Sequence, residues 1–136
     1  MNGLSGPFLI VHDIGHVRDA VATAKDLGRP VTLISAPGAA ASMGADVFNR
    51  MIDAVRAENP DSEIVAVIDC GADPGQAMQA LRFGSRNIRL DAPEGVLAKL
   101  RDMTDGMVLD GGPIAAYDMA GGTYDLAAWL EGNADK

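Results

Sequence analysis

The sequence predicts an α/β protein built around a mainly parallel, five-stranded sheet. Short apolar runs alternate five times with segments whose apolar residues recur at helical spacing, and the connections are short. The run Ile64 to Ile68 has five consecutive apolar residues, as expected of a strand buried on both faces. This alternation is typical of right-handed βαβ crossovers with helices on both faces. We therefore expect a flavodoxin-like, Rossmann-like three-layer sandwich with strand order 2-1-3-4-5, as a single domain over residues 1–136.

The first half of the chain predicts two strands and two helices. A strand at 8–13 is followed by a helix from His16 to Leu27, and Gly28 suits the position just past its end. The second strand covers 31–35, and a loop of small residues at 36–42 leads into an amphipathic helix. The apolar face of that helix is formed by Met43, Val47, Phe48, Met51, Ile52 and Val55. Asn-Pro-Asp at 59–61 ends it.

The second half begins with the most apolar strand, which ends at Asp69. Asp73, Pro74 and Gln76 then form a well-marked helix start, with the aspartate as N-cap and the proline in the first turn, and Gly84 ends that helix. The fourth strand, 87–91, alternates polar and apolar residues, which is typical of a strand near an edge.

The remaining elements are less regular. A fourth helix starts at 92–94 and a fifth strand covers 106–110. A last short helix at 124–131 follows Thr123, while 1–6 and 132–136 are expected to be an arm and a frayed tail.

A partial (β/α) barrel is the alternative architecture. The segments 80–84 and 88–90 have the cadence of barrel repeats. Five units cannot close an eight-unit barrel, so this alternative needs an association between chains.

Composition narrows the range of partners. The chain carries eleven scattered cations and a net charge of −8, so nucleic acid and anionic membranes are not expected as partners. The single cysteine excludes an internal disulfide and suits a reducing compartment. The sequence shows neither the basic start of a signal peptide nor an apolar run long enough for a spanning helix. We therefore expect a cytoplasmic protein.

Carboxylates end four of the predicted strands, at Asp13, Asp69, Asp91 and Asp110. Parallel strands end at one edge of a sheet, so Asp13, Asp69 and Asp110 are candidate ligands for a divalent cation such as Mg²⁺. The alternative is that each aspartate caps a helix or accepts amides of its own turn.

In length and alternation the chain resembles the response-regulator receiver domain. That resemblance implies an acidic pair after the first strand, a phosphoryl-accepting aspartate after the third, a hydroxyl after the fourth and a lysine after the fifth. Asp69 stands at the expected place, whereas His12 precedes Asp13, Asp91 replaces the hydroxyl and no lysine follows Asp110. The resemblance is therefore one of topology and does not extend to phosphotransfer.

Cys70 lies directly after the central predicted strand, where cysteine hydrolases on α/β folds place a nucleophile. His12 and His16 are candidate bases and Asp13 a candidate orienting group. Asp69 opposes a thiolate at Cys70, and a buried, inert cysteine is the alternative.

A small-ligand site is the remaining hypothesis. Small residues allow a ligand to approach the backbone closely, and a helix N-terminus offers free amides. The candidate ligand-binding residues are Asp13, Ser35, Gly38, Ser42, Asp69 and Gly71. A flexible connection at 35–42 is the alternative.

The sequence thus favours a domain that binds a small molecule or a protein partner, with a possible regulatory role. The alternative is a small enzyme that depends on a divalent cation or on Cys70. Arg89, Tyr117, Tyr124 and Trp129 are candidates for a homo-oligomer surface, or else the late aromatic segment only covers the sheet.

Overall fold

The computed structural model describes residues 7–133, which form an α/β fold around a parallel sheet of six strands. The strands are β1 (Phe8–Val11), β2 (Val31–Ser35), β3 (Ile64–Asp69), β4 (Asn87–Arg89), β5 (Val108–Leu109) and β6 (Ala116–Asp118). The helices are α1 (Ile14–Asp26), α2 (Ala45–Glu58), α3 (Pro74–Arg82), α4 (Glu94–Arg101) and α5 (Leu126–Gly132), with a π-helical turn at Ala40–Gly44 and a 3₁₀ turn at Met119–Gly121. The predicted α/β class is confirmed.

The strand order is β5-β4-β3-β2-β1-β6, so the predicted order 2-1-3-4-5 is wrong. β2 lies between β1 and β3, and the sheet has no reversal of strand order at that point. The apolar character of β3 indicates that it is central but does not say in which direction each crossover steps. The topological resemblance to receiver domains also depends on the order 2-1-3-4-5. The observed order therefore does not support that resemblance.

Neighbouring strands that follow one another along the chain are the connectivity of consecutive (β/α) barrel units. From β1 to β5 the observed order has that connectivity, which belongs to the alternative architecture. The pairs β3–β4 and β4–β5 are parallel, with Val67 opposite Asn87 and Ile88 opposite Val108.

The sixth strand is absent from the prediction. β6 pairs in parallel with β1, and Phe8 lies opposite Ala116. It has only three residues, of which one is aromatic and one acidic, so no apolar run marks it in the sequence.

The contacts of the chain divide into two compact units. Unit 1 comprises residues 7–34, 51–66 and 114–133, and unit 2 comprises 35–50 and 67–113. The prediction of a single domain is not tested by this division and stays a prediction. The predicted arm at 1–6 lies outside the described residues, as do 134–136. The predicted tail begins too early, because α5 continues through Gly132.

In unit 1, local capping sets the bounds of α1. Asp13 is its N-cap and accepts a hydrogen bond from the backbone N–H of His16 at 2.8 Å, so α1 begins earlier than predicted. Gly28 adopts φ +66° directly after the C-cap, as predicted. The helix buries Val17, Ala20, Val21 and Ala24.

In unit 2, α3 starts where the sequence predicts. Asp73 is the N-cap, and its side chain accepts from the N–H of Gly75 at 2.8 Å, with Pro74 in the first turn. Gly84, with φ +95°, follows the C-cap residue Phe83.

The buried face of α2 is narrower than its apolar residues suggest. Phe48, Ile52 and Val55 are buried, whereas Val47 is 49% exposed. A one-residue shift around a helix turns a side chain by about 100°. α4 ends at Arg101, and Met103 beyond it is 50% exposed.

Among the residues that the structure describes, no helix is long and apolar enough to cross a membrane.

A candidate ligand cleft at the carboxyl ends of β3, β4 and β5

Asp69, the last residue of β3, is a buried carboxylate in unit 2. It is 7% exposed, and its Oδ1 accepts from the N–H of Gly38 at 3.0 Å and of Gly71 at 2.8 Å. Both glycines have positive φ, +70° and +62°, a conformation that other residues rarely adopt. Asp69 therefore fixes the loop after β2 to the turn after β3.

The backbone of Asp69 is fixed from the other side. Its N–H donates to Oγ of Ser35 at 2.9 Å, and that hydroxyl donates to the carbonyl of Ala36 at 3.2 Å. Ser35 is buried, so its hydroxyl is the partner that satisfies a backbone N–H.

Arg89, the last residue of β4, holds the turn after β5. Its Nε donates to the carbonyl of Asp110 at 3.2 Å, and its Nη2 donates to the carbonyls of Gly111 and Gly112 at 3.3 and 2.7 Å. Its Nη1 faces Oδ2 of Asp69 at 3.8 Å. The guanidinium thus has one edge committed to the backbone and one edge directed at a carboxylate.

These groups line a cleft of about 330 Å³ in unit 2, which we call the β3–β5 cleft. Its lining residues are Pro37, Asp69, Gly71, Ala72, Arg89, Asp91 and Gly111. All of them follow or end strands at the carboxyl edge of the sheet, where open α/β folds bind ligands.

Gly111 lets the turn after β5 approach the cleft closely. A Cβ at this position would lie 2.8 Å from Cβ of Asp91 and 2.9 Å from its carboxyl carbon. Asp91 also donates its N–H to the carbonyl of Gly71 at 2.8 Å, which joins the turns after β3 and β4.

Cys70 is placed where the sequence predicts but in an environment unsuited to a nucleophile. It is 2% exposed, and burial, together with the negative charges of Asp69 and Asp73, raises its pKa to about 12. A catalytic cysteine needs a lowered pKa. The structure therefore favours the buried, inert alternative.

In unit 1, the two histidines lie side by side after β1. The backbone N–H of His12 donates to Nδ1 of His16 at 3.0 Å, and the rings meet edge to face at 5.4 Å. Nε2 of His12 lies 2.7 Å from Oδ1 of Asp118. The N–H of Ala120, and to a lesser extent His12, lowers the pKa of Asp118, so His12 donates to an ionised carboxylate.

Three of the strand-end aspartates accept backbone hydrogen bonds, as expected of capping or turn residues. Asp13 caps α1, Asp69 accepts two loop amides, and Oδ1 of Asp110 accepts from the N–H of Gly112 at 2.8 Å. Across residues 7–133 no group of three or more His, Cys, Asp or Glu side chains is placed to hold a metal ion. The structure therefore gives no support to a divalent-cation site at Asp13, Asp69 and Asp110.

The candidate ligand-binding residues fall into three groups. Ser35, Gly38, Asp69 and Gly71 are joined by hydrogen bonds in unit 2. Ser42 is exposed in the π-helical turn and does not line the β3–β5 cleft. Asp13 belongs to unit 1, as do His12 and His16.

Sequence reasoning missed Arg89 and Asp91 as residues of a ligand site. Arg89 lies in a short strand of alternating polar and apolar residues, a pattern that predicts an edge strand or an oligomer surface and not a ligand site. The partners of Arg89 are three backbone carbonyls, which leave no trace in residue types.

In the comparisons with known proteins, no family model matches this chain, and no curated protein matches its sequence. Function must therefore be argued from the site itself.

Proposed function

We propose that this protein binds a small polar molecule in the β3–β5 cleft. The observation that carries the proposal is the pair Asp69 and Arg89. Each is held by backbone hydrogen bonds at one end of its polar group and directs the other end toward its neighbour. Charged side chains that are held in place in a concave site orient a ligand at little entropic cost.

The surroundings support a binding role. The cleft volume lies at the lower end of the range for small-molecule sites, roughly 300–1,000 Å³. Pro37 and Ala72 offer a small apolar surface beside the polar groups. The thiol that directly follows Asp69 is kept protonated, which favours binding over cysteine-dependent hydrolysis.

The proposal is tested by NMR with ¹⁵N-labelled protein and a library of neutral, anionic and cationic fragments. We expect the amide shifts that respond to ligands to concentrate on the lining residues Gly71, Ala72 and Gly111, and on Gly38 beside them. Fragments that bind only elsewhere on the chain, or a library without a single hit at these amides, would contradict the proposal.

A second candidate function, acid–base catalysis in unit 1, is favoured by the His12–Asp118 contact. An ionised Asp118 holds the proton of His12 on Nε2, which leaves Nδ1 as the basic atom. The test is hydrolysis of p-nitrophenyl acetate. His12→Gln must abolish the protein-dependent rate, while Asp19→Asn, an exposed change on α1, must leave it unchanged. A rate that survives His12→Gln removes this candidate.

A further inference from the structure

The charges that line the β3–β5 cleft do not suit an ionic ligand. Asp69 and Asp91 supply two carboxylates and Arg89 supplies one guanidinium. An anion would gain from Arg89 but meet two negative groups, and a cation would gain from the aspartates but meet a fixed positive group. Neither sign of charge is matched, so this lining selects against both.

The gap between the two central groups has the size of a bridging hydroxyl. Nη1 of Arg89 and Oδ2 of Asp69 lie 3.8 Å apart, which is longer than the roughly 2.7–3.2 Å of a hydrogen bond. The gap is held open because Oδ1 of Asp69 is bound by two amides while Nε and Nη2 of Arg89 are bound by carbonyls. An oxygen placed above the gap reaches both atoms at about 2.8 Å.

The atom that fits this position must both accept and donate. Nη1 of Arg89 is only a donor, and Oδ2 of an ionised Asp69 is only an acceptor. A hydroxyl accepts from the first and donates to the second. A ligand carboxylate cannot donate and an ammonium cannot accept, so each would satisfy only one side.

Asp91 and the small apolar wall extend the same preference. Asp91 is exposed and offers acceptor oxygens to a further hydroxyl, close to the backbone of Gly111. Pro37 and Ala72 can contact the C–H face of a ring that carries hydroxyls. We infer that the β3–β5 cleft takes a neutral polyhydroxy compound of about monosaccharide size, with one hydroxyl bridging Arg89 and Asp69. This inference rests on the proposed function.

The experiment compares defined probes on ¹⁵N-labelled protein. D-ribose, D-glucose and myo-inositol are titrated alongside inorganic phosphate, acetate and ethylammonium, and the amides of Gly71 and Gly111 are followed. We expect saturable shifts with at least one polyhydroxy probe and none with the three ions. Asp91→Asn, at an exposed position, keeps an acceptor oxygen but without charge, so it should weaken that binding about three- to tenfold.

Two further variants test the bridge itself. Asp69→Asn keeps an oxygen for the amides of Gly38 and Gly71 but is no longer a charged acceptor toward the ligand, so it should weaken binding at least tenfold. Arg86→Gln, at an exposed arginine that pairs with Asp105, is the matched control and should bind as the wild type does.

The outcomes separate this inference from the proposed function. If phosphate, acetate or ethylammonium saturates the cleft amides and the polyhydroxy probes do not, the ligand class is wrong while the cleft remains a binding site. If none of the six probes shifts these amides, the inference is overturned, and the fragment library then decides the proposed function independently. Polyhydroxy binding that is unchanged in both Asp69→Asn and Asp91→Asn also overturns it.

Discussion

Replacing Asp69 by alanine should open the β3–β5 cleft and destabilise unit 2. The change removes the acceptor of two backbone N–H groups, at 3.0 Å from Gly38 and 2.8 Å from Gly71. A hydrogen bond to a charged group contributes about 1.5–3 kcal/mol. Both glycines are partly exposed, so water replaces part of what is lost. We expect Asp69→Ala to lower the free energy of unfolding by about 2–3 kcal/mol.

Asp69→Asn is the matched control for this prediction. The asparagine oxygen still accepts from the two amides but without charge, and neutral hydrogen bonds are about half as strong. The expected loss is therefore about 1 kcal/mol.

Urea unfolding followed by far-UV circular dichroism measures both changes, and hydrogen exchange reports the site directly. The amides of Gly38 and Gly71 should lose their protection in Asp69→Ala and retain most of it in Asp69→Asn. A loss below about 0.5 kcal/mol in Asp69→Ala, or equal losses in the two variants, would refute the role given to this carboxylate.

Four further measurements have defined outcomes. Cys70 should react with iodoacetamide at neutral pH at least about 30-fold more slowly than a free cysteine. A pKa raised from 9.0 to about 12 removes most of the thiolate, and the higher nucleophilicity of the thiolate that remains offsets only part of that loss. A fast reaction would contradict the burial of Cys70. Between pH 9.0 and about 12 the unfolded state loses the thiol proton and the folded state keeps it. The free energy of unfolding of the wild type, compared with that of Cys70→Ala, should therefore fall by up to about 1.4 kcal/mol per pH unit. A difference between the two proteins that does not change with pH would contradict this. Gly106→Ala should lower the free energy of unfolding by about 3 kcal/mol, because its Cβ would lie 2.0 Å from the carbonyl oxygen of Arg86. The control Gly95→Ala, in α4, meets no atom within 4 Å and should raise the free energy of unfolding by about 0.5–1 kcal/mol. Thermal or urea unfolding measures both, and equal effects would argue against the clash. Asp73→Ala should lower stability by about 1 kcal/mol through loss of the α3 N-cap, with Asp73→Asn close to the wild type.

Elements whose ends are set by local chemistry were predictable from the sequence. Asp73 and Pro74 mark the start of α3, and Gly28 marks the end of α1, because capping geometry depends on a few neighbouring residues. β2 matches its predicted range because turn residues on both sides bound a short apolar run.

Features that depend on the direction of the chain in space were not predictable in this way. The apolar run of β3 indicates burial on both faces, but nothing in it says that β2 rather than β1 is its neighbour. β6 has three residues and is stabilised by pairing with β1, so its sequence carries no strand signal of its own.

Only part of the candidate site was predictable, because local residue types indicate some of its members while others depend on the path of the chain in space. Asp69, Gly38 and Gly71 were singled out as a strand-end acid and small residues, and the structure joins them by hydrogen bonds. Arg89 was considered only for an oligomer surface, because its binding to backbone carbonyls depends on the turn after β5 and not on the residue types there.

We propose that a small polar molecule binds in the β3–β5 cleft through Arg89 and Asp69. The most direct measurement compares wild-type protein with Arg89→Gln against the same fragment library, following the amides of Gly38, Gly71 and Gly111. We expect ligand-dependent shifts at these three amides in the wild type and their loss in Arg89→Gln, while the amide signals of unit 1 are the same in both proteins. Shifts of equal size in both proteins, or shifts confined to other parts of the chain, would contradict it.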